Sequence, residues 1–175
     1  MPKIIAIIVE MAICVCALWV LFFLSTFLHE AGHAVGYRIA TKDRHWHIRV
    51  GWGKRLINTK RLTVNLFPFD GYFTPLEKNR IDTTAKLIAI LAGGPAASLI
   101  LVIGLLMLKF GGISFQSEVI ATDAIEFFIN CALSVNLVIL ILSLIPAHYF
   151  FGKIKGLETD GLQIIHAVKN RGIKM

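Results

Sequence analysis

The stretch IIAIIVEMAICVCALWVLFFLSTFLHEAGH, residues 4–33, decides how this chain folds. Residues 4–28 carry one charge, Glu10, and the helical pattern then continues unbroken into His29-Glu30-Ala31-Gly32-His33. A helix needs roughly 20 apolar residues to cross a hydrocarbon core of about 30 Å, and this run is longer. It is also too long for the apolar part of a secretory signal peptide, and no small-x-small cleavage site follows it, so it is expected to stay as a spanning helix. Two further runs, 87–108 and 127–147, carry no charged residue, although the last includes Asn130, Asn136 and Ser143. Buried helices of a soluble bundle would need polar faces that these runs lack. The chain is 56% hydrophobic with a mean hydropathy of +0.71, but the arrangement of the apolar residues says more than the total. The expected fold class is an all-α membrane protein, a single domain over residues 1–175, with transmembrane helices at about 4–40, 84–109 and 123–146.

The net charge of +7 is informative through its placement. Lys42, Arg44, Arg49, Lys54, Arg55, Lys60, Arg61, Lys78 and Arg80 lie between the first two runs, and Lys153, Lys155, Lys169, Arg171 and Lys174 lie in the tail. The segment between the second and third runs has no Lys or Arg, but contains Glu118 and Asp123. Loops rich in Lys and Arg stay in the cytoplasm. The N-terminus is therefore expected outside, with the first loop and the C-terminus inside. Lipid headgroups and topology account for the basic loop more simply than nucleic acid does. Cys14 and Cys16 point to opposite sides of one helix and Cys131 lies in another, so no disulfide framework and no thiolate metal site is implied.

Residues 46–74 have a different pattern. Trp46, Ile48, Val50 and Trp52 alternate with His47, Arg49 and Gly51, and Arg61 to Leu66 alternate again. Period-two patterning broken by Gly51, Gly53, Pro68 and Gly71 predicts a short β-ribbon, and its aromatic residues suit a membrane interface. Gly32, Gly36 and Ala40 form a small-residue stripe at four-residue spacing, which lets another backbone come close. Ala92-Gly93-Gly94-Pro95 weakens the second helix, favouring close contact or carbonyls turned toward a cavity. After Pro146 a polar connector leads to Glu158-Thr159-Asp160-Gly161 and a short amphipathic helix at about 160–169.

On a helix, residues four apart share a face, so His29 and His33 can offer two imidazole nitrogens to one ion. Glu30 sits about a hundred degrees around, beside such an ion, where a carboxylate can take a proton from water. Polar residues of this kind within or beside lipid are costly and usually functional. Catalytic zinc generally has three protein ligands. Asp160 is the candidate for the third and Glu158 its nearest rival, while an N-cap is the competing role for Asp160. His45 and His47 share a strand face and are read as basic surface decoration. His148 could line the cavity or steady an oxyanion, and His166 is expected on the surface of the tail helix.

The order of these motifs resembles the site-2 protease family of intramembrane zinc metalloproteases. The likeness rests on His29-Glu30-Ala31-Gly32-His33, on Ala92-Gly93-Gly94-Pro95, and on Asn136-Leu137 through Ser143-Leu144-Ile145-Pro146 to Thr159-Asp160-Gly161, and covers roughly residues 20–165. It implies a Zn2+ ion held by His29, His33 and Asp160, with Glu30 as the catalytic base. It further implies a bacterial-type cell-membrane location, an active site toward the cytoplasmic side, and a transmembrane or membrane-associated protein or peptide as substrate. Ser143 stands where many members carry a substrate-positioning asparagine, and Asn136, seven residues earlier on a similar face, is the alternative for that role. The connector from Pro146 to Asp160 is longer than in many members, and no appended domain is expected. Two other classes fit the same ligands: a zinc-binding membrane transporter or sensor, and an inactive relative acting as a membrane interaction protein. Glu30 discriminates, since a transporter needs no general base one position after a ligand.

Overall fold

The computed structural model describes residues 2–111, 119–150 and 152–169. Glu118, Arg171 and Lys174, which enter the charge pattern above, lie outside them, as does the side chain of Asp123. Helix α1 runs Pro2–Thr41, strands β1 and β2 run Trp46–Asn58 and Leu62–Pro75, α2 runs Thr84–Phe110, α3 runs Val119–Leu144 and α4 runs Asp160–Lys169. The first three helices are each long and apolar enough to cross a membrane. Their outward faces carry Ile5, Met11, Ile100, Met107 and Val138, all at least half exposed, an arrangement that water opposes and hydrocarbon accepts.

Helix α1, at 40 residues about 60 Å long, is the axis of the molecule. It stops where Lys42 turns into the left-handed region with φ 58 while its N–H still bonds to the Arg38 carbonyl at 2.9 Å. Helix α2 runs antiparallel along α1, and the small-residue stripe makes this contact. A Cβ on Gly32 would strike the Gly93 carbonyl, and one on Gly36 would meet the Ala89 carbonyl. The backbones therefore touch directly, as the spacing of Gly32 and Gly36 predicts. The N-terminus of α2 is capped by Thr83, whose Oγ accepts from Lys86 N at 3.3 Å.

The ribbon lies against the other side of α1 and is more folded than simple alternation implies. Residues 46–50 pair with 71–75 along one edge, while Ile48, Arg49 and Val50 also face Leu62, Thr63 and Val64 along the other. The hairpin thus folds back on itself. Gly51 and Gly53, with φ of +78 and +88, supply the bend, since a side chain in that conformation would be strained. Asn65 clasps it, its Nδ2 donating to the Gly51 carbonyl at 2.8 Å. The buried pair Ile48 and Val50 packs with Ala34 of α1, ringed by Phe23, Phe27, Trp46 and Phe73. Thr26 Oγ donates to the Pro68 carbonyl at 3.1 Å and Trp19 Nε1 to the Leu66 carbonyl at 2.5 Å, so the fold of the ribbon reaches some ten residues along α1 from His29 toward its N-terminus.

The glycine contact gives a direct expectation. Gly36→Val pushes a branched side chain into α2 and overpacking of this kind costs about 1–3 kcal/mol. The thermal midpoint in detergent should fall by on the order of 5 °C, while Val35→Leu, on the exposed face, leaves it unchanged.

Candidate metal centre

His29, Glu30 and His33 lie buried on α1, and Asp160 opens α4. Asp160 is free for another task because the capping role falls to its neighbour. Thr159 Oγ accepts from Leu162 N at 3.4 Å and itself donates to the Ile145 carbonyl at 2.6 Å. Gly161 lets α4 begin hard against α3, since a Cβ there would strike the Leu144 carbonyl. As a result, Asp160 Oδ2 stands 3.3 Å from His29 Nε2 and 3.4 Å from His33 Nε2. Glu158 is engaged elsewhere, 3.2 Å from His166 Nδ1. Among the described residues, His29, His33 and Asp160 are the one group of three or more able to hold a metal ion.

The second nitrogen of each ring fixes how the first is used. His33 Nδ1 lies 2.8 Å from the Ile90 carbonyl, and His29 Nδ1 lies 2.9 Å from Ser98 Oγ, a side chain with no exposure. A carbonyl only accepts, so His33 carries its proton on Nδ1 and presents a lone pair at Nε2. The Gly94 amide, 3.3 Å from the same Nδ1, is then a close neighbour rather than a donor. Lone pairs and a carboxylate oxygen that converge on one point repel each other unless a cation lies between them. Asp160 Oδ2 is buried and has no hydrogen-bond partner among the described residues, as such an arrangement requires. Ligands about 2.0–2.1 Å from a tetrahedral zinc ion are themselves roughly 3.3 Å apart, which matches both separations. The residues fit the ion. Burial opposes charge on Asp160, but where the His29 and His33 rings are protonated their hydrogen bonds and charge outweigh it and hold the carboxyl down to about 2.

Gly94 makes the space for this arrangement. A Cβ there would overlap His33 Nε2 and come within 2.7 Å of His29 Nε2. Pro95 within α2 removes the amide that would have bonded to the Leu91 carbonyl, in the stretch where the chain passes closest to the ligands. His29 meets Ser98, which lies midway along the charge-free run 87–108 of α2. The site is therefore at the end of one apolar run and at the centre of another.

A cavity of about 540 Å³ opens onto the ligands, lined by Glu30, the β2 residues Gly71, Tyr72 and Phe73, and Tyr149 and Glu158 from the connector. A Cβ on Gly71 would strike Glu30 Oε1, so the ribbon backbone passes directly over Glu30. Burial, then the charges of Asp160 and Glu30, push the Tyr149 phenol above its usual range.

The remaining candidates lie elsewhere. His148 is exposed and does not line this cavity; its bridge to Glu158 belongs to the connector. Asn136 donates to Ser25 Oγ at 3.0 Å and to the Ala132 carbonyl at 2.8 Å, and lines a separate apolar cavity of about 470 Å³ between the three long helices. Ser143 donates to the Leu140 carbonyl of its own helix at 3.0 Å. His45 is paired with Asp43 and His47 with Thr63. Tyr149 carries no motif that would single it out in the sequence; only the folding of the connector brings it here. No family model, curated protein or solved structure matches the chain, so the likeness to site-2 proteases stands on the motifs alone.

The geometry predicts that Gly94→Ala abolishes stoichiometric zinc by metal analysis of the purified protein while helical content is retained. Ser98→Ala, which removes the partner of one imidazole, should weaken zinc affinity by about 10–100-fold.

Proposed function

We propose that the protein is a membrane-embedded zinc metalloprotease that hydrolyses a peptide bond in or near the transmembrane segment of a membrane-protein or peptide-precursor substrate. The observation that carries this reading is a buried carboxylate, Glu30, beside three converging ligands inside a cavity. Zinc held by His29, His33 and Asp160 would supply a Lewis acid that lowers the pKa of water from about 15.7 toward 7. Glu30 would take the proton from that water and later pass it to the leaving amine. Ser98 and the Ile90 carbonyl hold the imidazoles so that Nε2 of each faces inward. The apolar helices around the site exclude bulk solvent, and water reaches it through the cavity, which has Lys78, Glu158 and Gln163 in its lining.

A helical substrate hides its carbonyls and must unwind. Leu76 N–H bonds to the His45 carbonyl at 3.0 Å, so by antiparallel alternation the N–H and C=O groups of Gly71 and Phe73 point away from β1. Among the described residues no strand pairs with that edge. An extended substrate could add to it beside Glu30, regaining hydrogen bonds lost on unwinding. The C-terminal end of α1 and the N-terminal end of α2 lie at the end of the molecule that bears Lys42, Arg44, Lys78 and Arg80. The positive-inside rule assigns that end to the cytoplasm.

Glu30→Gln should keep one zinc per chain yet lose at least about 100-fold in cleavage of a single-span test substrate. Wild-type protein that carries zinc across vesicles and cleaves no such substrate sinks the protease reading in favour of transport. In the Glu30→Gln background, a photoreactive side chain at Tyr72 should crosslink substrate, and one at exposed Ile100 should not. Equal labelling at both positions argues against strand addition at the ribbon edge.

A further inference from the structure

Three tyrosines stand near the ligands, and two are accounted for. The Tyr37 hydroxyl donates to Asp43 Oδ2 at 2.5 Å and approaches the Glu77 carbonyl at 3.2 Å, a latch at the end of α1. Tyr72 lies on the ribbon with 45% of its surface exposed. Tyr149 is half-buried, lines the cavity with Glu30 and Asp160, and its hydroxyl has no hydrogen-bond partner among the described residues.

The connector is built to hold that ring in place. Tyr149 N–H donates to the Leu157 carbonyl at 2.9 Å, and the Tyr149 carbonyl accepts from Gly156 N at 2.7 Å. Thr159 N donates to the Ala147 carbonyl at 3.0 Å, closing the base of the same hairpin. Gly152 and Gly156, with φ of +70 and +86, make its turn. Lys153 N donates to Asp70 Oδ2 at 3.0 Å, tying the hairpin to the ribbon across the cavity. Both backbone polar groups of Tyr149 are thus fixed while its phenol is left uncommitted.

Among the described residues the cavity offers one other phenol, Tyr72, which is 45% exposed. Glu30 and Asp160 accept when ionised, and the imidazoles turn lone pairs inward. The Gln163 amide is committed to the Glu158 carbonyl at 2.9 Å, and Lys78 is exposed. During peptide hydrolysis, negative charge develops on the carbonyl oxygen, and a fixed donor in a water-poor site is most effective there.

We propose that Tyr149 is a catalytic residue, donating its hydroxyl hydrogen bond to the carbonyl oxygen of the scissile bond as that carbon becomes tetrahedral. This rests on the proteolytic reading. The donor acts on charge present mainly in the transition state, so it should govern kcat rather than KM.

The test compares full-length wild type and Tyr149→Phe in detergent by zinc content, by KM and kcat on a single-span substrate, and by calorimetric affinity for a phosphonamidate peptide that mimics the tetrahedral carbon. Expected are one zinc per chain in both, KM within about twofold, kcat lower by about 100-fold, and phosphonamidate affinity lower in similar proportion. Unchanged kcat and phosphonamidate affinity overturn the assignment. So does loss of zinc together with kcat, which marks Tyr149 as a structural support. Wild type that neither cleaves nor binds the phosphonamidate refutes the protease reading and this assignment with it, whereas a defect confined to the variant bears on Tyr149 alone.

Discussion

The direct contact of two helix backbones at Gly32 and Gly93 is the constraint on which the site depends. A side chain on either residue would strike the other's carbonyl. Because nothing separates the helices there, α2 comes near enough for its Ile90 carbonyl and Ser98 hydroxyl to reach the far nitrogens of His33 and His29. Gly94, one residue on, leaves room for both Nε2 atoms. A single run of small residues therefore sets helix distance, ring orientation and ligand space together. These three requirements cannot be met independently, which is why the stretch leaves no room for added bulk.

Depth adds a second requirement. Opposite the middle of the apolar run of α2, an unpaired carboxylate or imidazolium would be expensive. The chain meets this cost by bringing the charges together, with Asp160 carried in by α4 from the far end of the sequence. Its arrival depends on a division of labour between adjacent residues, Thr159 taking the helix cap and Asp160 the ligand position. The two cavities show the contrast. The one at the ligands has polar groups in its lining, whereas the one between α1, α2 and α3 is walled by aliphatic and aromatic side chains, with Ser25 and Asn136 as its polar exceptions.

Much of this architecture was legible in the sequence, because its signals are local. The apolar runs give α1, α2 and α3 to within a few residues, the alternation of 46–74 gives the ribbon, and the four-residue spacing of His29 and His33 gives two ligands on one face. What was not legible depends on chain reversals. The ribbon folds back because two glycines adopt positive φ, and alternation alone cannot report which edge then faces which. Local sequence favours a cap for Asp160, and only the position of Thr159, whose Oγ accepts from Leu162 N, resolves the competition. In the connector, His148 is the residue with recognisable chemistry. Side chains at successive positions of an extended segment point to opposite sides, so a hairpin that exposes His148 turns Tyr149 inward. Asn136 and Ser143 share a helical face as expected, but that face meets α1 and its own turn instead of the ligand cavity.

The cavity walls come from two segments distant in sequence, the ribbon and the connector hairpin, and the bond from Lys153 N to Asp70 Oδ2 joins them. Asp70 is 3% exposed and its other oxygen has no hydrogen-bond partner among the described residues. Burying a carboxylate with one oxygen unsatisfied is unfavourable, so the arrangement is kept against a local cost. What it secures is the distance between the free edge of β2 and the face of the hairpin that carries Tyr149. A peptide lying along that edge would have Glu30 beneath it and the phenol across from it. The span between these groups is set by a bond from a backbone amide to a short, buried carboxylate. In a membrane, where association of helices gains little from the hydrophobic effect, such a polar tie between the two walls is the available means of holding a cleft at fixed width.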